Sequence, residues 1–280
     1  MNELADVFES IAKVAMEANK AEEGDYVGED GLLYCGKCHT PKQCRVNNPF
    51  EEGRIDIRYI PCKCKQERNK AEEEERNRIE FEKRVKELRR TGFSEADMQS
   101  WTFANDDNSN PTLTNAMKKY VENFDTFKAE GKGLLLFGTV GTGKTFLAAC
   151  AANALIDKGI PVLITRVTDV AQGLFDGKVT YQDYNQFPLL VLDDLGAERK
   201  TEYMQEIVYN FIDARYRANL PIIITSNLTR AELLNPADIT YQRIYSRLFE
   251  MCTPIEVSGK DRRQQALRDD IGKMKEILGL

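Results

Sequence analysis

The 280-residue chain has no run of eighteen apolar residues, and residues 1–20 carry Glu3, Asp6 and Glu9 where a secretion signal needs a basic end and an apolar centre. The first lack excludes a membrane-spanning helix and the second a leader, so a cytoplasmic protein with no membrane partner is expected. Positive charge is not in excess either: the formal net charge is −6. That balance argues against a surface that coats nucleic acid broadly, although local basic loops can still contact phosphates. Internal repeats are lacking, and histidine is nearly absent, His39 being the only one. With 42% apolar and 30% charged residues, what is present suffices for one full core and a smaller module or arm.

Cysteine is the first positive signal. There are seven, five of them between Cys35 and Cys64, and without a secretion signal they point to a metal site rather than to disulfides. Cys35-x-x-Cys38, a gap of twenty-three residues, then Cys62-x-Cys64 offers four thiolates in two close pairs, as a tetrahedral structural zinc site requires. Cys44 and His39 are substitutes for one of the four. Such a closed set implies a role in folding and partner presentation, in a segment too short to build a core unaided. Cys150 and Cys252 sit in apolar surroundings and read as core.

The pattern along the chain divides it into four stretches. Over 1–30, Leu4, Val7, Phe8, Ile11 and Val14 recur at helical spacing, an amphipathic arm in need of a docking surface. The cysteine module spans 31–65, with Ile55, Ile57 and Tyr59 alternating as in a short strand. Residues 66–92 are dense in Glu, Lys and Arg, with Phe81, Val85 and Leu88 as a thin apolar stripe: a solvated connecting helix that Thr91-Gly92 stops. From 93 to 280, apolar runs at 133–138, 161–167, 188–194, 221–227 and 253–257 alternate with helical stretches. Apolar strands without polar alternation mean a parallel sheet covered by helices on both faces, hence an α/β fold.

The first of these strands ends in Gly138-Thr139-Val140-Gly141-Thr142-Gly143-Lys144-Thr145, which fits G-x-x-x-x-G-K-[ST], and Phe146 continues into an alanine-rich helix. Glycines let successive N–H groups curl toward phosphate oxygens, and the helix adds its positive end. Lys144 is expected on the β- and γ-phosphates of ATP and the Thr145 hydroxyl on Mg2+. A second apolar strand ends in Asp193-Asp194. Asp193 suits the Mg2+ shell, and Asp194, past the strand end, is placed to orient or deprotonate a water. An aspartate reaches less far than the more usual glutamate, which implies slow or partner-dependent hydrolysis. Glu198 is an alternative for the same task.

These residues, with Trp101-Thr102-Phe103, Arg215-Tyr216, Thr225-Ser226-Asn227-Leu228, Arg243-Ile244-Tyr245-Ser246-Arg247-Leu248 and Gly259-Lys260-Asp261-Arg262-Arg263, make the chain resemble the AAA+ ATPases of the DnaC/DnaI helicase-loader group. It is also similar to the IstB transposition ATPases. The resemblance covers about residues 90 to 265 and implies an AAA+ fold of the ASCE P-loop class with a five-stranded parallel sheet. It also implies ATP or ADP with Mg2+ as cofactors. Asn227 takes the sensor 1 position and Arg247 that of an arginine finger acting on a neighbouring copy's ATP. Arg263 takes that of the sensor 2 arginine, with Arg262 its competitor. The implied partners are a DnaB-type replicative hexameric helicase, single-stranded DNA, and further copies of the chain assembled on the helicase through AAA+ interfaces. DNA contacts fall near Phe175-Asp176-Gly177-Lys178 and Arg199-Lys200, although Phe175 reads equally well as core.

The cysteine spacing yields the first prediction. Freshly reduced, unchelated protein should carry about one zinc per chain by elemental analysis; finding none sinks the site.

Overall fold

A computed structural model describes residues 21–48, 51–198, 201–236 and 238–278. The amphipathic stretch from Leu4 to Val14, and Arg199-Lys200, lie outside the described residues. The chain forms two compact units, Met1–Glu80 and Phe81–Leu280.

In the first unit two short antiparallel ladders bracket the cysteines. Strand β1 (Tyr26–Val27) pairs with β2 (Leu33–Tyr34), and β3 (Gln43–Asn47) with β4 (Ile55–Tyr59), the last as the alternation of Ile55, Ile57 and Tyr59 predicts. Little apolar surface is buried here, Leu32 being the main aliphatic contribution. In its place stands a buried ion pair, Lys42 Nζ to Asp25 Oδ2 at 2.6 Å, both side chains almost fully covered. Lys42 and the N–H groups of Glu22 and Gly36 hold the Asp25 carboxyl well below the usual carboxylate range, near 2. Helix α1 (Lys63–Gly92) follows, the Thr40 hydroxyl accepting from the Lys63 N–H at 2.9 Å. It contains the charged stretch expected at 66–92 and starts three residues earlier, and basic residues in its last turn, Arg89 and Arg90, suit the negative end of the helix dipole.

The second unit is built on one five-stranded sheet of order β6-β7-β8-β5-β9, in which every pair is parallel. The strands are β5 (Gly133–Phe137), β6 (Val162–Arg166), β7 (Leu189–Leu195), β8 (Ile222–Ser226) and β9 (Cys252–Glu256), each within a residue or two of the apolar runs. Alternate residues of β5 feed opposite cores: Leu134 and Leu136 pack with α4 (Lys144–Ile156), while Leu135 and Phe137 pack with α6 (Glu202–Arg217) and α8 (Ile239–Met251). The period of two in a strand that is buried on both sides leaves no polar position, so the run reads Gly-Leu-Leu-Leu-Phe without alternation. Between α1 and the sheet lie α2 (Pro111–Glu122), whose Asn110 cap accepts from the Leu113 N–H at 3.1 Å, and the short α3 (Phe124–Ala129). The remaining helices are α5 (Val167–Phe175), α7 (Arg230–Leu234) and α9 (Arg262–Leu278). Among the described residues no helix is long and apolar enough to cross a membrane. Cys150 and Cys252 are buried, as expected of core residues, and burial pushes the Cys150 thiol up to about 12.

An arginine is also buried in the second unit. Arg215 is 1% exposed and spends its guanidinium on backbone carbonyls, those of Phe187 at 2.9 Å, Pro221 at 2.5 Å and Tyr184 at 3.3 Å. It thereby satisfies the chain ends that lead into β7 and β8, where loop carbonyls would otherwise be buried alone. Burial draws the guanidinium down to about 10, still charged at neutral pH. Arg215→Ala should lower the unfolding free energy by about 3 kcal/mol in urea titration, since it orphans three acceptors; a loss below about 1 kcal/mol sinks that account.

Candidate functional site

Because all five strands run the same way, the loops after β5, β6, β7 and β8 gather on one edge of the sheet. There a cavity of about 390 Å³ opens between the glycine loop and the two aspartates. Gly141 and Gly143 both take left-handed backbone, φ 77° and 89°, and a Cβ on Gly141 would lie 1.9 Å from Asp261 Oδ1. Only glycine fits this curl, which delivers the chain into the start of α4 with Gly143 as its cap. Lys144, 6% exposed, donates to the carbonyls of Gly138 at 3.0 Å and Thr139 at 2.7 Å, so its ammonium lies across the mouth of the loop.

The two aspartates have different partners. Asp193 is 5% exposed and its Oδ1 accepts from the Thr145 hydroxyl at 2.8 Å. Two oxygen donors of a hard cation are thus adjacent, which suits Mg2+. Asp194 takes φ 60°, an uncommon conformation for a side chain of any size, and its Oδ1 accepts from Asn227 Nδ2 at 2.6 Å. Both carboxylates and Asn227 line the cavity, as do Val140, Thr142 and Phe146.

Arg262 lines the cavity as well; its N–H donates to the Gly141 carbonyl at 2.9 Å, and its guanidinium faces Asp107 at 3.2 Å and Asp106 at 3.8 Å and reaches the Ser109 hydroxyl. The side chain of Arg263 lies outside the described residues. Arg247 is not brought to the cavity. It ion-pairs with Asp213 at 2.6 Å and stacks on Tyr209, 4.5 Å from the ring centre, beside a separate groove. Glu198 is also elsewhere: its carboxylate accepts from the Gly196 N–H at 2.7 Å and the Tyr241 hydroxyl at 3.3 Å, a tie inside the fold. Phe175 is 78% exposed, so it is not core, and Lys178 near it pairs with Asp176 at 2.7 Å.

Two further residues line the cavity, Arg166 with no motif to announce it and Trp101 from the Trp101-Thr102-Phe103 segment. Arg166, last in β6, sits opposite Asp193 in register and pairs with Glu95. Its signal was positional, an arginine at the carboxyl end of a parallel strand. Trp101 reaches the rim because Asn153, 1% exposed on α4, donates to the carbonyls of Met98 and Trp101, both at 2.8 Å, and its ring meets Phe146 at 5.8 Å. An aromatic there offers a flat face to a nucleobase.

In the first unit the sulfurs of Cys35, Cys38, Cys62 and Cys64 all lie within 4.8 Å of one another, with Cys35–Cys64 at 3.6 Å and Cys62–Cys64 at 3.4 Å. Four sulfurs around a zinc at ~2.3 Å stand ~3.8 Å apart, so the donor set and spacing fit that ion. Cys44 and His39 are not in the group; His39 is exposed and meets the Tyr26 hydroxyl. Hydrogen bonds from the Thr40 hydroxyl and the Cys64 N–H pull the Cys38 thiol down, and the N–H groups of Cys38 and Lys37 do the same for Cys35. Hydrogen bonds with the Cys62, Cys35 and Cys38 sulfurs push the Cys64 thiol up. A dication among the four would favour the thiolates.

Residues 71–269 match the family described as IstB-like ATP binding protein. The chain is similar to the replicative helicase loader DnaI of Bacillus subtilis, 27% identical over 264 residues, which span 82% of this chain and 78% of that protein. A putative insertion sequence ATP-binding protein of Sinorhizobium fredii is 36% identical over 123 residues, 42% of this chain and 41% of that protein, so the chain spans less than half of that relative. Among solved structures, the DnaC helicase loader superposes with a TM-score of 0.50 at 27% identity, covering 59% of this chain and 100% of that one.

Proposed function

Since the chain belongs to the family of IstB-like ATP binding proteins, we propose that it is an ATP-hydrolysing loader that places a replicative hexameric helicase of the DnaB type on single-stranded DNA. The observation that carries the ATPase part is the meeting of Lys144, Thr145, Asp193, Asp194 and Asn227 around one cavity from three separate strand ends. Lys144 and the loop N–H groups hold the β- and γ-phosphates. Mg2+ bound at Thr145 and Asp193 supplies charge neutralisation to those phosphate oxygens. Asp194 orients the attacking water and takes its proton, and Asn227 holds Asp194 in place while its amide faces the γ-phosphate. Arg262 or Arg263 adds a cation from α9 that reads the phosphate tail. Arg247, lying outside its own chain's cavity, serves a neighbouring copy's site, so hydrolysis follows assembly on the helicase.

The loader reading rests on extent of likeness: the relative matched over 82% of this chain is a helicase loader, whereas the insertion-sequence relative is matched over 42%. In this reading residues 1–30 and the 31–65 module dock the helicase, 66–92 connects, and 93–280 is the ATPase. Zn2+ held by the four cysteines gives the module its fold, with no open coordination position for chemistry. Phe175 and Lys178 present stacking surface and charge to the DNA strand. The higher identity of the insertion-sequence relative, 36%, supports a second reading as a transposition helper on duplex DNA.

Lys144→Ala should abolish heat of ATP binding in calorimetry. Arg247→Ala should bind ATP normally yet lose roughly a thousandfold of partner-stimulated hydrolysis; wild-type turnover in that variant overturns the role in trans. Co-elution of the full chain with its host's replicative helicase from a sizing column supports the loader, and ATP-dependent filaments on duplex DNA support the alternative.

A further inference from the structure

The two aspartates pose a geometric problem that their motif hides. Consecutive residues of a strand face opposite sides of the sheet, yet Asp193 and Asp194 both line the same cavity. The register explains how. Leu192 stands opposite Ile224 and Leu195 opposite Ser226, so Asp193 and Asp194 together face the single residue Thr225. This is a bulge, which interrupts the ladder and turns the second aspartate into its left-handed conformation.

Such a bulge leaves a backbone donor without its ladder partner, and here a side chain takes that place. Thr225 Oγ1, on a residue 1% exposed, accepts from the Asp194 N–H at 2.9 Å and donates its only proton to Asp193 Oδ1 at 2.7 Å. The neighbouring hydroxyl is not available for either bond, because Ser226 donates to the Leu195 carbonyl and accepts from the Leu228 N–H. The Thr225 bond also orders the metal side. Asp193 Oδ1 already accepts a hydrogen bond from the Thr145 hydroxyl at 2.8 Å, so two hydroxyls fix the carboxylate's rotation from two elements, α4 and β8.

We propose that Thr225 is a positioning residue for the Mg2+ and water-orienting carboxylates, its hydroxyl holding the bulge that lets Asp193 and Asp194 act on one cavity. The proposal rests on the ATPase reading given above and adds to it a residue that acts through the two carboxylates. Outer hydrogen bonds to a metal-binding carboxylate set its aim, and their loss weakens metal binding more than nucleotide binding.

The test uses the full chain, with ATP binding followed by calorimetry in EDTA and hydrolysis followed against free Mg2+. Thr225→Val should raise the Mg2+ concentration for half-maximal hydrolysis about tenfold while metal-free ATP affinity stays within about twofold. Thr225→Ser, which keeps the hydroxyl, should return the Mg2+ midpoint to within about threefold of wild type. Should the valine variant lose its cooperative melt, Thr225→Cys, which exchanges the hydroxyl for a weak thiol donor, takes its place with the same expected shift. An unchanged midpoint in the valine or cysteine variant overturns the inference, as does a serine variant no better than valine, or a metal-free affinity that falls as far as the Mg2+ midpoint rises. A wild-type chain that binds no ATP overturns the ATPase reading itself, whereas ATP binding with an unmoved Mg2+ midpoint in the variants overturns this inference alone.

Discussion

Asp193 Oδ1 is the atom on which the site's order depends. It accepts hydrogen bonds from the hydroxyls of Thr145 at the start of α4 and Thr225 on β8, while belonging to β7. One carboxylate oxygen thus joins the phosphate-binding loop, the acidic strand and the strand that carries Asn227. A buried carboxylate needs such donors to stay charged out of water. The same need that stabilises it also aims it.

The arginines show how one residue type is put to different uses by its surroundings. Arg215 is sealed in the interior against three carbonyls and has no access to a phosphate. Arg262 faces the cavity but leans on Asp106 and Asp107, so a phosphate would compete with two carboxylates for it. Arg247 lies stacked on tyrosine and paired with Asp213. Arg166 shares an exposed pair with Glu95, a contact of little energetic weight that leaves its position at the strand end as its main feature.

The cysteine unit follows a different economy of forces. With scant aliphatic burial, it relies on a covered Lys42–Asp25 pair and on four sulfurs drawn together by two ladders and the first turn of α1. Crowded thiolates repel one another, so a cation bound there would be part of the fold rather than an addition to it. Calcium-like or catalytic roles do not suit four soft sulfurs in a closed set.

Much of this was legible from residue order because the signals are local. Apolar runs without alternation announce strands buried on both faces, the glycine pattern announces a curled loop, and paired cysteines at close spacing announce a shared ligand; each depends on neighbours a few positions away. The strands of the large sheet, α1 and the four sulfurs accordingly lie where the sequence alone placed them. The short ladder partner β3, the cavity-facing Arg166, the burial of Arg215 and the exposure of Phe175 were not legible, since each is decided by which distant segment packs alongside. Residue order by itself determined that a phosphate loop, an acidic strand end and a thiol cluster exist. Only the folded sheet decided how two successive aspartates come to face one cavity, because strand alternation forbids it until a bulge and the hydroxyl of a residue thirty-one positions away hold the second in place.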